Sequence, residues 1–303
     1  MSDLVSHDRL ARGNAGPVRI ARSPANRART ARWWSVLRHG GIVVAAVIFL
    51  FPFFWMLSTA LRLDREVFAY PPQLLPSRVQ WHNFVDAWRY LPFGRFFFNS
   101  AFVSGSITVI VLIVSSFAGY AFARLKFRGR NGLFLVYLGT LMVPQAVIVI
   151  PLFLMMSQIG WIDSYQGLII PMAFSSFGTF LMRQFFLTIP QELEDAAVID
   201  GASHLRILTT VFLPLSLPAV GLLALFTFTG QWNAFLWPLI AVNGPDHATL
   251  PLGLTLFQGQ QGTQWNYMMA GAAISMLPGL VLTILMHRYI FKGIAISSGF
   301  GGR

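Results

Sequence analysis

Six stretches of the chain contain no Asp, Glu, Lys or Arg: Gly40 to Leu61, Phe96 to Ala123, Asn131 to Ile162, Ser164 to Met182, Ile207 to Pro245 and Ala248 to Met286. A helix crossing a bilayer needs about 20 predominantly apolar residues, and each stretch is long enough to cross once. Some of them include loop residues, so the predicted span cores are shorter: Gly41 to Ala60, Phe98 to Tyr120, Leu133 to Met155, Gln166 to Leu181, Ala219 to Ile240, and Met268 to Met286. The fourth is the shortest. The pattern predicts an all-α, polytopic membrane protein with six transmembrane helices.

The remaining segments differ in character. Residues 1–38 mix Arg, Ala, Ser, Asn, Gly and Pro with little periodicity, as a disordered or membrane-surface tail would. Residues 39–293 form the transmembrane domain, and 294–303 a short C-terminal tail. The first apolar run is longer than a signal-peptide core of about 7 to 15 residues and starts deep in the chain, so it reads as an uncleaved span. Between the first two spans lie Pro71-Pro72, Pro76, Tyr70, Trp81, Phe84, Trp88 and Tyr90. They predict an aromatic belt at the interface or a short amphipathic helix lying on it.

Composition agrees with the runs. Of 303 residues, 55% are hydrophobic and 11% charged, with a mean hydropathy of +0.61, more apolar surface than a soluble domain of this size can hide. Charge sets the orientation, because Lys and Arg gather on the cytoplasmic side. With the N-terminus inside, 17 of the 22 Lys and Arg lie in internal segments, eight of them in the N-terminal tail. The outside holds only Arg62, Arg65, Arg78, Arg89 and Arg95, all in the first loop. Both termini are therefore expected to be cytoplasmic. The net charge of +11 follows from this asymmetry and from attraction to anionic lipid, and does not imply nucleic acid. The absence of cysteine rules out disulfides and thiolate metal sites.

One internal segment stands apart. Phe186 to Pro218 reads FLTIPQELEDAAVIDGASHLRILTTVFLPLSLP. Thr188 and Gln191 have capping-box spacing, Pro190 suits a first turn, and Glu192, Glu194 and Asp195 put negative charge at the positive end of a helix dipole. Small residues follow at Ala196, Ala197, Gly201 and Ala202, allowing another surface to approach closely, and Gly201 permits a sharp turn. A second apolar-sided stretch, Leu205 to Phe212, is ended by Pro214 and Pro218. The prediction is helix, turn, helix lying flat at the cytoplasmic face, between spans four and five.

This segment resembles the EAA loop of ABC importer permeases: Glu-Ala-Ala, three residues, Gly, nine residues, Ile, any residue, Leu-Pro. Asp195-Ala196-Ala197, Gly201, Val211, Leu213 and Pro214 match with both spacers kept, Asp195 replacing Glu and Val211 replacing Ile. The resemblance implies a coupling helix that docks on an ATPase subunit, with Glu192, Asp195, Ala196, Ala197, Asp200, Gly201, Leu213 and Pro214 as coupling residues. No phosphate-binding GxxxxGK[ST] loop occurs, so the chain itself is expected to be non-catalytic and without a cofactor, ATP and Mg being bound by the partner ATPase.

The chain is further similar to the smaller permease subunit of maltose-type carbohydrate importers. The likeness runs from about Gly41 to Gly302, through Asn99-Ser100, Met142-Val143-Pro144, Trp232 to Pro238, Leu250 to Leu254 and Gly293; the ending from Ile294 departs from it. That resemblance implies a second permease subunit in a heterodimer, an ATPase pair, an extracellular sugar-binding protein that meets the loop Val242 to Asn266, surrounding lipid, and a bacterial inner membrane.

For the cargo, Gln231, Trp232, Asn233 and Trp237 in the fifth span and Gln145 in the third are the candidate pathway residues. Carboxamides both donate to and accept from sugar hydroxyls, and an indole face covers the apolar side of a sugar ring. The same residues could serve as interfacial anchors or bond neighbouring helices. The rival function is a secondary transporter coupled to an ion gradient. Such carriers keep ionisable groups at bilayer depth, whereas the six runs have no Asp, Glu, Lys or Arg. A membrane scaffold is the third reading, and it predicts no coupling loop.

Overall fold

The computed structural model describes residues 24–259 and 262–299. Apart from one two-residue hairpin, Gln258–Gly259 with Gly262–Thr263, its regular structure is helical. A first unit ends at Phe54 and a second begins at Trp55. Helix α1, Pro24–Ala60, begins in the first. Within the N-terminal tail the helix begins at Pro24, and residues 1–23 lie outside the described residues. From Leu37 to Phe54 every side chain of α1 is exposed, including Phe49 at 76%. Such a continuous apolar surface is stable only in apolar surroundings.

In the second unit, α2 (His82–Tyr90) sits in the first loop, followed by α3 (Phe93–Arg124), α4 (Arg130–Gly139), α5 (Gln145–Gln158), α6 (Tyr165–Ile169) and α7 (Ser176–Leu187). Then come α8 (Gln191–Ile199), α9 (His204–Ile207), α10 (Leu213–Leu215), α11 (Leu217–Trp232), α12 (Leu236–Ala241), α13 (Leu250–Thr255) and α14 (Trp265–Gly299). Helix α3 forms the centre, packed against α7 and α11, while α14 packs on α11 and α2. Its buried side, Phe93, Phe96, Val103, Ile107 and Val111, gives way to Ser115, Ser116 and Gly119 where α7 crosses it. A Cβ on Gly119 would lie 2.8 Å from Met182 Cβ and 3.0 Å from the Arg183 amide nitrogen. Small residues at such a crossing let two helices approach backbone to backbone.

Among the described residues, three helical segments are long and apolar enough to cross a membrane by themselves: Leu37–Ala60, Phe93–Arg124 and Trp265–Leu285. The other expected spans are broken. Arg130–Met142 meets Gln145–Gln158 at 98°, because Pro144 cannot continue the helix and holds Val143 extended at ψ 113°. The expected fourth span is divided between α6 and α7, with Ser175 Oγ accepting from the Gly178 amide at 2.9 Å to start α7 afresh. The fifth stops at Trp232 and resumes at Leu236.

The loop between the first two spans is built into the fold more than an interfacial belt would be. Tyr70, Trp81, Trp88 and Tyr90 are all exposed, as in a belt, but Trp88 also packs on Phe93 and Phe97, and Tyr90 stacks on Phe257. Asn83 donates to the carbonyls of Ala60 and Arg62, both at 2.8 Å.

Candidate coupling site and transport pathway

Helix α8 starts without the expected capping box. Thr188 has αR geometry at the end of α7, and its hydroxyl donates back to the Phe185 carbonyl at 2.7 Å, so it is unable to cap the next helix. Pro190 fills the N-cap position instead, and Glu192 and Glu194 lie in the first turn as expected. At the other end Gly201 takes φ +75°, its amide bonds to the Val198 carbonyl, and the Ala202 amide reaches Ala197. This paired closure demands a left-handed residue at the position after the cap, which glycine adopts without steric cost.

Six of the eight sequence-derived coupling residues therefore sit on one short helix and its C-terminal cap: Glu192, Asp195, Ala196, Ala197, Asp200 and Gly201. All but the half-buried Ala197 are exposed, and beside them Ile199 is 86% exposed. Leu213 and Pro214 lie apart, in α10, beyond a π-helical turn at Leu208–Phe212.

Beneath α8 is a cluster that sequence reasoning missed. Arg124, at the end of α3, donates to the Phe186 carbonyl at 2.7 Å and to that of Ile189, and its guanidinium lies 3.6 Å from Glu194. Tyr120, one turn earlier, donates to Glu194 at 3.3 Å and meets His204 Nδ1 at 3.3 Å. Its ring packs edge-on against Phe186 and Phe212, and the Arg124 guanidinium covers Phe212 at 5.0 Å. Arg124 counted in the sequence only as one positive charge on the inner side. The i, i+4 spacing of Tyr120 and Arg124, which puts both on one helix face, was the available signal.

The pathway candidates separate. Gln145 and Gln231 line two adjoining cavities. One, of about 430 Å³, is also bounded by Val111, Ser175, Phe177 and Thr227. The other, of about 330 Å³, reaches Val103, Trp237 and Thr249. No charged side chain lines either. Trp237 borders the second cavity, while its indole N–H is taken by the Gly167 carbonyl at 3.0 Å. Trp232 turns into the protein, donating to the Ser275 carbonyl on α14 at 3.0 Å and packing on Phe97 and Phe228. Asn233 is exposed, borders neither cavity, and folds back on the Thr229 carbonyl at 2.8 Å.

Comparison with known proteins places this geometry. Residues 111–296 match the family described as the binding-protein-dependent transport system inner membrane component. The sn-glycerol-3-phosphate transport system permease protein UgpE of Pectobacterium atrosepticum is 35% identical over 88% of this chain and 98% of its own length. The same-named protein of Yersinia enterocolitica is 33% identical over the same shares. Among solved structures, a bacterial ABC transporter involved in import of the acidic polysaccharide alginate aligns with TM-score 0.78 at 22% identity, covering 86% of this chain and 98% of that one. A related structure, in complex with an alginate pentasaccharide-bound periplasmic protein, aligns with TM-score 0.59.

Proposed function

This chain belongs to the family of binding-protein-dependent transport system inner membrane components, and from that premise we propose that it is the permease subunit of an ATP-driven ABC importer for a hydroxyl-rich, sugar-like solute. The observation that carries this is α8 with its Gly201 cap: an exposed acidic and small-residue helix, inside the matched range, with no packing role for its outer face. The chain supplies no catalysis. ATP and Mg are bound by a partner ATPase pair, a second permease completes the channel, and an external binding protein delivers the cargo. Six crossings with both termini cytoplasmic place α8 on the ATPase side. ATP-driven closure of the ATPases then displaces α8, and the cavities turn from inward-facing to outward-facing.

The named cargo of the relatives, sn-glycerol-3-phosphate, and the alginate of the structural neighbour are rich in hydroxyls and carry negative charge. The lining of both cavities fits the hydroxyls: Gln145 and Gln231 in both, Thr227 and Ser175 in the first and Thr249 in the second all donate and accept. It offers no cation, so an anionic group on the cargo would have to be met by the second permease. Ion-gradient coupling finds no support in these cavities, which lack an ionisable side chain.

The test is purification of the tagged protein from its native membrane in mild detergent, with mass spectrometry of what accompanies it. A second permease and an ATPase carrying a phosphate loop are expected. A lone protein or homo-oligomer that still transports after reconstitution without ATP would overturn the reading.

A further inference from the structure

We propose that α3 is the strut that joins the two ends of the molecule during transport, and that Arg124 and Asn99 are its positioning residues, each clamping one loop to one end. The inference rests on the importer reading above. At the inner end, Arg124 and Tyr120 hold the α7–α8 junction through Phe186 and Ile189, α8 through Glu194 and the start of α9 through His204. At the outer end an equally dense set of bonds holds the loop before α13. Fully buried Asn99 donates to the carbonyls of Asp246 (3.0 Å) and Ala248 (2.9 Å) and accepts from Tyr165 at 2.7 Å. Next to it, Ser100 Oγ accepts the Leu250 amide at 2.7 Å. Arg95, one turn earlier, pairs with Asp246 at 2.8 Å.

What lies between the clamps decides the matter. Asn99 and Arg124 are 25 residues apart on one helix, about 37 Å at 1.5 Å per residue, more than the ~30 Å hydrocarbon thickness. Helix α3 has no break over that length, whereas the α4–α5, α6–α7 and α11–α12 segments are each interrupted and can bend where they stop. At Gly119 the backbone of α7 bears directly on α3. A displacement of α8 is therefore carried by α3 as a rigid body to the loop 242–249, while the interrupted helices around the cavities take up the change of shape. Because such a link is energetic, it works equally in reverse, from the outer loop to α8.

Isolated structural bonds would give the same static picture, so the test reads transmission. The purified complex with its co-purifying partners, in lipid nanodiscs, is compared with and without magnesium adenylyl-imidodiphosphate by backbone hydrogen–deuterium exchange. In the unaltered complex, exchange is expected to change at least fivefold both in α8 and in 242–249. Arg124→Gln or Asn99→Leu should leave the α8 response in place and shrink that of 242–249 at least fivefold. The double variant should lose no more than the worse single one, since the clamps act in series. The gentler Tyr120→Phe and Ser100→Ala, which keep the packing, should act in the same direction if the first pair fails to assemble. A response in 242–249 that persists in these variants, or that adds up across the two clamps, overturns the strut. A complex in which α8 itself ignores the nucleotide overturns the importer reading, and the strut with it.

Discussion

Two glycines show how differently the same residue type can be used. Gly119 is required for space: an added Cβ meets Met182 Cβ and the Arg183 backbone, neither of which can yield. Gly119→Ala should thus cost about 1–3 kcal/mol, as overpacking does, and lower the melting temperature of the detergent-purified protein. Gly201 is required for conformation: nothing lies within 4 Å of its would-be Cβ, but φ is +75°. A side chain there strains the turn by about 1–2 kcal/mol and projects from the surface proposed to dock on the ATPase. Gly201→Leu should leave the amount of protein in the membrane unchanged while cutting uptake and cargo-stimulated ATP hydrolysis more than tenfold. Uptake within twofold of the unaltered protein would remove α8 from coupling.

At the scale of a helix, adjacent residues face different surroundings. Gln231 and Trp232 are consecutive on α11 and lie about 100° apart around it, the first toward the cavities and the second toward α14. Gln231→Ala should shift the apparent KM for uptake severalfold with stability unaltered. Trp232→Phe should instead destabilise by about 1–3 kcal/mol, because a buried hydrogen bond to the Ser275 carbonyl is lost and the smaller ring leaves a cavity; a KM change in that variant at full stability would reverse the assignment. The positions of the apolar segments were legible from charge alone, the helix at 191–199 from Pro190 and the acidic residues after it, and the turn from Gly201 itself. The breaks were mostly not. An apolar run looks the same whether its helix continues or restarts: Pro144 and Pro171 lie at two of the interruptions, but Pro52, Pro151 and Pro278 lie inside unbroken helices, and Asn233–Phe235 contains no proline. Thr188 misled for a related reason: its hydroxyl serves whichever helix end is nearer, and spacing alone does not say that α7 ends there. The roles of Arg124 and Asn99 were not legible because most of their partners are backbone carbonyls far along the chain, which leave no pattern in the side chains.

For the whole molecule the decisive quantity is how many times the chain crosses the bilayer. Among the described residues, three continuous apolar helices and two bent pairs, Arg130–Met142 with Gln145–Gln158 and His204–Leu215 with Leu217–Trp232, give at most five crossings by length and composition, and the sixth depends on α6 and α7 acting together as one span. The absence of cysteine makes this measurable, since any introduced thiol is unique. Single cysteines at the exposed positions Tyr70, Arg128, Ile199 and Pro245 report four loops to a membrane-impermeant maleimide. With six crossings and internal termini, Tyr70→Cys and Pro245→Cys react in intact spheroplasts, whereas Arg128→Cys and Ile199→Cys react only after permeabilisation. Arg128 and Ile199 are separated by the third and fourth segments, so they share a side only if both cross or neither does, and a cysteine at exposed Ile159, between the two segments, reacts from outside only if both cross. Were they to react from opposite sides, α6–α7 would be re-entrant. Either α8 or the basic 125–130 connection would then face outward, which neither ATPase docking nor the distribution of Lys and Arg allows.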